Sequence, residues 1–452
     1  MEFDKIISDI SSFVWGYPLL FILIGGGLYL LFVSKFLPFK YFFHAIDIVR
    51  GKFNDKKSDG EISHFQALTT ALSATVGMGN IAGVAVAISI GGPGAIFWMW
   101  VSGIIGMSTK FFTSALAVMY RGLDSAGKKQ GGPMYFIVNG LGKKWFPMAM
   151  FFSFCGMVGA LPVFNVNQLT QAINDIVLKP NGFEVSLFSN AIIGLILIIL
   201  TSIVILGGLK RISRVSARLV PFMVGVYIIS ILVILIVNYN NVPEYLYLIF
   251  YDAFNADYYS GNSALGGVLG ALIILGIRRG AFSNEAGIGM APMAHGAAKT
   301  NNPIKEGFVA MLGPFIDTLM VCTMTALAIL VTGAWKTQAD GVSLTAAAFE
   351  SSFSGIGNYI LLACVFVFSI SSLFSYSYYG TKCLSFIAGD NNKKKYNYIY
   401  IISIMLGATT SLSMMINLID TFFALMAIPT MIATLILAPK VLNELKKYEI
   451  KR

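Results

Sequence analysis

The sequence predicts an all-α polytopic membrane protein with eleven transmembrane helices. Three observations carry that prediction. The 452-residue chain is 56% hydrophobic and only 12% charged, about half the charge of an average soluble protein. Residues 65–109 contain no Asp, Glu, Lys, Arg or His, a stretch long enough to cross a roughly 30 Å hydrocarbon core twice. Basic residues then recur in alternate loops, as the positive-inside rule asks of a chain threaded through a bilayer.

In chain order, the N-terminus MEFDKIISDI is acidic and mixed. It lacks the basic region of a cleavable signal, so the first apolar run, 17–37, is expected to be retained. A basic amphipathic stretch, 38–64, is expected to lie against anionic headgroups and ends an N-terminal region 1–64. Apolar runs follow at 65–91, 94–120, 147–177, 186–208 and 215–238. After a loop at 239–263, further runs fall at 264–292, 306–333, 357–386, 397–414 and 419–438, and a basic tail covers 439–452.

Placing the N-terminus outside puts Lys40, Arg50, Lys52, Lys56 and Lys57 in the first inside loop. Arg121, Lys128, Lys129, Lys143 and Lys144 fall in the second. Lys210 to Arg218, Lys299 and Lys305, Lys393 to Lys395 and the tail to Arg452 follow on the same side. Outside segments hold only Lys5, Lys179 and Lys336, so the C-terminus is expected in the cytoplasm and the protein in the cell membrane. The net charge of +10 arises from these loops and is not a nucleic-acid footprint. Cys155, Cys322, Cys364 and Cys383 lie in apolar runs without CxxC spacing, and His44, His64 and His295 are read as interfacial. No cofactor is expected, and the chain carries no HExxH or GxSxG.

Within 65–91, the stretch Thr75-Val76-Gly77-Met78-Gly79-Asn80 does not suit an unbroken helix. Each glycine costs about 1 kcal/mol against alanine in a helix interior. Loosened backbone inside a membrane needs protein or a wet cavity to satisfy it. Close glycine packing is the competing explanation, and Thr75 and Asn80, polar beside the glycines, favour a discontinuous helix. A second interruption is expected in GIRRGAFSNEAGIGMAP, 276–292, where Arg278, Arg279, Asn284 and Glu285 follow an apolar run too short to span. Glu285 facing lipid at the bilayer centre would cost about 3 kcal/mol or more. Its expected surroundings are a cavity, a backbone cradle or a basic partner. Phe282 is expected in this break, as an apolar wall or as plain core. Asp317, inside another apolar run, is expected to form a structural or gating ion pair with Arg278 or Arg279, with carriage of a proton as the alternative.

Without the first span, the interrupted helices are the first and sixth of ten. Corresponding positions in two halves, 65–238 and 264–438, are therefore broken, the pattern of two inverted five-helix repeats.

ALSATVGMGNIAGVAVAISIGGPGAIFWMW (71–100) and RRGAFSNEAGIGMAPMAHGAAKT (278–300) resemble the alanine or glycine:cation symporter family. So do GGPMYF (131–136), NVNQ (165–168), FIDTLMVCTMTAL (315–327) and SYYG (377–380). The resemblance covers essentially the whole chain. It implies the sodium-coupled amino-acid symporter fold and import of a small neutral amino acid, alanine or glycine, with Na⁺ by alternating access. An H⁺-coupled or uncoupled carrier or channel of the same fold is the alternative. By similarity to the neurotransmitter:sodium symporters, Gly77 and Gly79 would give amides to the substrate carboxylate. The carbonyls of Ser73 and Val76 would contribute to a sodium site. Ser371 and Ser372 match a Ser-Thr pair that completes it, and Gln168 matches a substrate-contacting position. The chain departs from the family at Tyr376, where Trp is usual, and at Thr381, where Glu is usual. Tyr376 is therefore expected to line a pocket of altered size.

Overall fold

The computed structural model describes residues 9–451, except 12, 54–57, 256–264, 338, 340 and 411–412. Lys5, Lys56, Lys57, Arg452, the loop from 256 to 263 and positions 411–412 of the expected tenth run lie outside the described residues.

The long apolar runs become helices, three of them with a proline inside (Pro221, Pro314 and Pro439). They are α1 (Pro18–Val33), α2 (Phe42–Val49), α3 (His64–Thr75), α4 (Gly79–Gly91) and α5 (Gly94–Met119). A short hairpin, β1 (Gly122–Leu123) with β2 (Lys129–Gln130), follows. Then come α6 (Phe146–Gly159), α7 (Val163–Ile173), α8 (Leu187–Ile205), α9 (Gly208–Val237) and α10 (Val242–Asn255). The second half holds α11 (Leu265–Asn284), α12 (Ala291–His295), α13 (Pro303–Val331), α14 (Gly341–Ser352) and α15 (Gly357–Ala388). It ends with α16 (Lys393–Thr409), α17 (Ser413–Leu425) and α18 (Ala427–Lys451).

Among the described residues, seven helices are long and apolar enough to cross a membrane, or eight when α3 and α4 are taken as one broken span. Helix α1, α11 and α16 occupy three further expected runs but do not reach that criterion. The run expected at 147–177 is helical but turns at Ala160–Pro162, between α6 and α7. The expected tail at 439–452 is no separate segment in its described part. Helix α18 continues through Pro439, and Tyr448 meets His44 of α2 at 2.6 Å.

Helix α5 is the centre of the molecule, with an unbroken buried run from Ile105 to Val118. It packs along α11 and α13, while α3 packs on α9 and α15. Close approach has a visible cause at Gly276 of α11, where a Cβ would stand 2.4 Å from the Ala95 carbonyl oxygen of α5. By contrast α8 is mostly uncovered, and its Leu195, Ile199 and Ile203 face outward.

On the side of the basic loops the halves are tied together. Ser63 and Gln66 form a capping box that starts α3, and Asn302 caps α13. Glu306 of α13 receives His64 of α3 on one oxygen and His295 of α12 on the other, the latter at 2.6 Å. All three side chains are buried. His44 is buried too, so the interfacial reading of the histidines is corrected. Each imidazole sits where a carboxylate or hydroxyl satisfies its ring nitrogen. Arg121 adds hydrogen bonds to the carbonyls of Gly296, at 2.8 Å, and Thr300, at 2.7 Å. The described part of 38–64 is two-faced, with Ala45 and Ile48 fully covered and Phe39 and Phe43 exposed.

Candidate functional site

Helix α3 makes its last regular bond from Val76 N–H to Leu72 O, at 2.7 Å, and Val76 then turns extended. The chain re-enters a helix at Gly79, and α3 and α4 are inclined by 56°. The break is held by Asn80, whose Oδ1 accepts the Gly77 N–H at 2.8 Å. Its Nδ2 donates to Asp317 Oδ1 at 2.7 Å. The Gly77 amide is thus already engaged, and the Asn80 side chain is consumed by the fold rather than presented to a ligand.

The second break lies later than its charges suggest. Helix α11 runs unbroken through Arg278, Arg279 and Phe282 to Asn284. The chain then unwinds over 285–290, with Glu285 at φ 54°, Gly287 at 88° and Gly289 at 105°. The arginines need no break because both line a wide vestibule, where their charge can be hydrated. Phe282 is a helical residue one turn before the break. Asn284 does not line the cavity described below: its Oδ1 accepts Ala286 N–H at 3.0 Å and its Nδ2 donates to Thr318.

Between the breaks lies a cavity of about 50 Å³, lined by Thr75, Gly77, Gly79, Phe282, Glu285, Ser372 and Tyr376 among others. At roughly 10–15 Å³ per water on this measure, it suits a molecule of a few non-hydrogen atoms. Met78, Gly79, Phe164, Phe282 and Asp420 also line a vestibule of about 670 Å³, so cavity and vestibule adjoin. Phe282 stands at the junction, its ring 5.7 Å from Trp15, 6.3 Å from Phe164 and 6.2 Å from Phe423. Gln168 lines the vestibule and not the small cavity. A second vestibule, of about 710 Å³ and lined by Asp59, Lys129, Tyr378 and Lys382, shares no residue with the cavity. At its rim Lys129 donates to Asp59 at 2.6 Å and holds that carboxyl below the usual range.

Two oxygen-rich places adjoin the cavity. Ser371 Oγ lies 3.3 Å from the Ser73 carbonyl, and Ser372 Oγ lies 3.5 Å from the Ala74 carbonyl. This is the carbonyl end of α3, where a helix dipole favours positive charge. No contact joins the Val76 carbonyl to these serines among the described residues. On the other side, Tyr376 donates to Glu285 Oε1 at 2.6 Å. The expected ion pair of Asp317 with Arg278 or Arg279 is not formed. Asp317 instead accepts from Asn80, from Ser283 at 2.9 Å and from Thr318 at 2.8 Å. Arg278 lies over Trp15, 5.8 Å from the ring.

Sequence reasoning missed Lys110, a lysine buried in the middle of α5. The signal was present, as Lys110 directly ends the uncharged run 65–109 in mid-helix. The carboxylate shared by His64 and His295 was also missed, because its three members come from separate helices.

A model described as the Sodium:alanine symporter family matches residues 1–452. The sodium/alanine symporter AgcS of Methanococcus maripaludis is 39% identical, covering 100% of this chain and 99% of that protein. The probable sodium/glutamine symporter GlnT of Bacillus subtilis is 35% identical, covering 98% and 90%. Among solved structures, MhsT in complex with L-phenylalanine matches with a TM-score of 0.59 at 13% identity. The match covers 83% of this chain and 89% of that one, and the likeness is one of fold.

Proposed function

The chain belongs to the sodium:alanine symporter family, a family of transporters and not of enzymes, and from that premise we propose that it imports a small neutral amino acid with Na⁺ by alternating access. Alanine and glycine are the substrates of choice. The observation that carries this choice is the 50 Å³ cavity between the two helix breaks. Relatives are named for alanine and for glutamine, and so small a space favours the former.

The first break offers both ends of a zwitterion what they need. Helix α4 begins at Gly79, and a helix N-terminus suits a carboxylate. Helix α3 ends on carbonyls, which suit a cation. With the Gly77 amide engaged by Asn80, Gly79 is the better candidate for the carboxylate. Na⁺ goes to the carbonyls of Ser73 and Ala74 with the hydroxyls of Ser371 and Ser372, hard oxygens that suit a hard ion. Thr75, Phe282 and Tyr376 shape the pocket. Gln168, Arg278 and Arg279 serve the vestibule, where an incoming carboxylate would meet two guanidinium groups.

The eleven-span arrangement with inverted repeats at 65–238 and 264–438 is part of the same reading. It is supported by an unwound stretch within the first span of one half and directly after α11 in the other. With the basic loops inside and both termini placed accordingly, the vestibule that adjoins the cavity opens outward. Release to the cytoplasm then requires the His64–Glu306–His295 tie and the Arg121 contacts to part.

The test is uptake of labelled alanine and glycine into proteoliposomes, with and without an inward Na⁺ gradient and with glutamine as competitor. Accumulation of both, driven by Na⁺ and insensitive to glutamine, is expected. Uptake indifferent to Na⁺, or driven by a proton gradient alone, refutes the coupling, and strong competition by glutamine refutes the size argument.

A further inference from the structure

We propose that Glu285 holds the amino group of the transported amino acid, so that the carrier accepts only substrates with a positively charged nitrogen. This rests on the reading above that the cavity between the breaks is the substrate site.

Glu285 is buried, 3% exposed, at the start of the second break, where it lines the cavity beside Tyr376. Its φ of 54° is uncommon for a residue with a side chain. Such backbone strain tends to gather where a side chain must be held for function. One carboxylate oxygen accepts the Tyr376 hydroxyl at 2.6 Å. The other, Oε2, is buried without a hydrogen-bond partner among the described residues. Buried carboxylate oxygens are costly to leave without donors, so the geometry is completed by a ligand that brings them.

The surroundings say which ligand. Asp317 does not line the cavity and has both oxygens taken by Asn80, Ser283 and Thr318, while Asp420 lines both the cavity and the vestibule that holds Arg278 and Arg279. Lys110 is buried in α5 and forms no salt bridge with either Glu285 or Asp317 among the described residues. Glu285 is thus the carboxylate that lines the cavity without also facing the vestibule and its arginines. A primary ammonium carries three donors and a full positive charge. Oε2 is covered in this conformation, so one N–H meets it once the carboxylate turns toward the cavity that Glu285 lines. Ser372, Gly77 and Gly79 line the same cavity, so the substrate carboxylate can point toward α4 as its nitrogen meets Glu285.

The experiment compares alanine with lactate, which keeps the carbon skeleton and carboxylate and replaces the ammonium by a hydroxyl. Full-length protein at saturating Na⁺ is loaded with labelled alanine, and each compound is titrated as competitor. The wild type should prefer alanine strongly. Glu285→Gln should reduce that preference between about ten- and a hundredfold, the worth of a charge-assisted hydrogen bond. An unchanged alanine-to-lactate ratio overturns the proposal. So does an intact ratio accompanied by a raised Na⁺ requirement, which would make Glu285 an ion ligand instead. Should Glu285→Gln fail to fold, Tyr376→Phe keeps the carboxylate but frees it to move, and the ratio should fall about three- to tenfold; no fall overturns the assignment. Gly79→Val, across the cavity, separates the two readings. If that variant binds alanine like the wild type, the cavity is not the substrate site. If it loses alanine while Glu285→Gln keeps the wild-type ratio, the cavity stands and the role of Glu285 falls.

Discussion

Gly77→Ala should weaken Na⁺ dependence without unfolding the protein, and it should do so through Ser372. A Cβ built at Gly77 would lie 2.9 Å from Ser372 Oγ, the one close contact it makes. Ordinary contact begins near 3.4 Å, so the hydroxyl must leave by about half an ångström. Gly77 has no positive φ, and alanine therefore adds no backbone strain. What moves is a small hydroxyl now bonded to Phe368 O at 3.1 Å and to Ala74 O at 3.5 Å. Forcing that side chain off its rotamer costs about 0.5–1.5 kcal/mol, and loss of one oxygen ligand adds about 1 kcal/mol. With partial relaxation we expect about 1–2 kcal/mol, or roughly a five- to thirtyfold rise in half-saturating Na⁺. The assay is alanine uptake against Na⁺ concentration for Gly77→Ala, Ser372→Ala and the double variant. In the double variant the hydroxyl is already gone, so Gly77→Ala should add little and the cycle should be strongly non-additive. Additive effects, or a Na⁺ dependence unmoved by Gly77→Ala, would show that Ser372 does not serve the cation.

Gly79→Ala meets Ser283 at 3.6 Å and Phe282 at 3.9 Å, ordinary contacts, so it should fold normally but fill part of the cavity. Transport of alanine should fall about 1–3 kcal/mol relative to glycine, and equal losses in paired uptake assays would remove Gly79 from the pocket wall. The wild-type protein should tolerate serine and 2-aminobutyrate, whereas Tyr376→Trp should narrow the profile toward glycine and alanine. Coincident competition profiles would make Tyr376 a packing residue. Glu306→Ala leaves His64 and His295 buried without their shared acceptor, a loss of about 3–5 kcal/mol, and thermal unfolding in detergent should shift down by several degrees. An unchanged Tm would mean that this tie contributes nothing to the observed conformation.

Local chemistry by itself determined the class of protein, the helical runs and the first break. Those features depend on composition, on the length of apolar segments and on two glycines beside polar residues, all of which are local. The helix through Arg278 and Arg279 was misjudged for a related reason. A sequence shows that charges interrupt an apolar run, but not that the side carrying them faces a hydrated vestibule. Gln168 was likewise legible as a polar helix residue, though its height relative to the cavity was not.

Tertiary structure alone decided who satisfies whom. Asp317 was expected to seek an arginine, but its partners are Asn80, Ser283 and Thr318, two of them far away in the chain. Burial selects such neutral donors because they neutralise a carboxylate's lone pairs without the desolvation of a second charge. Helix α3 shows the same division. That it must break near Gly77 follows from the residues it contains. That its last carbonyls meet Ser371 and Ser372 depends on α15, about three hundred residues later, packing across it. Non-local contacts of that kind are set by the close packing of whole helices, a property that no local stretch of sequence carries.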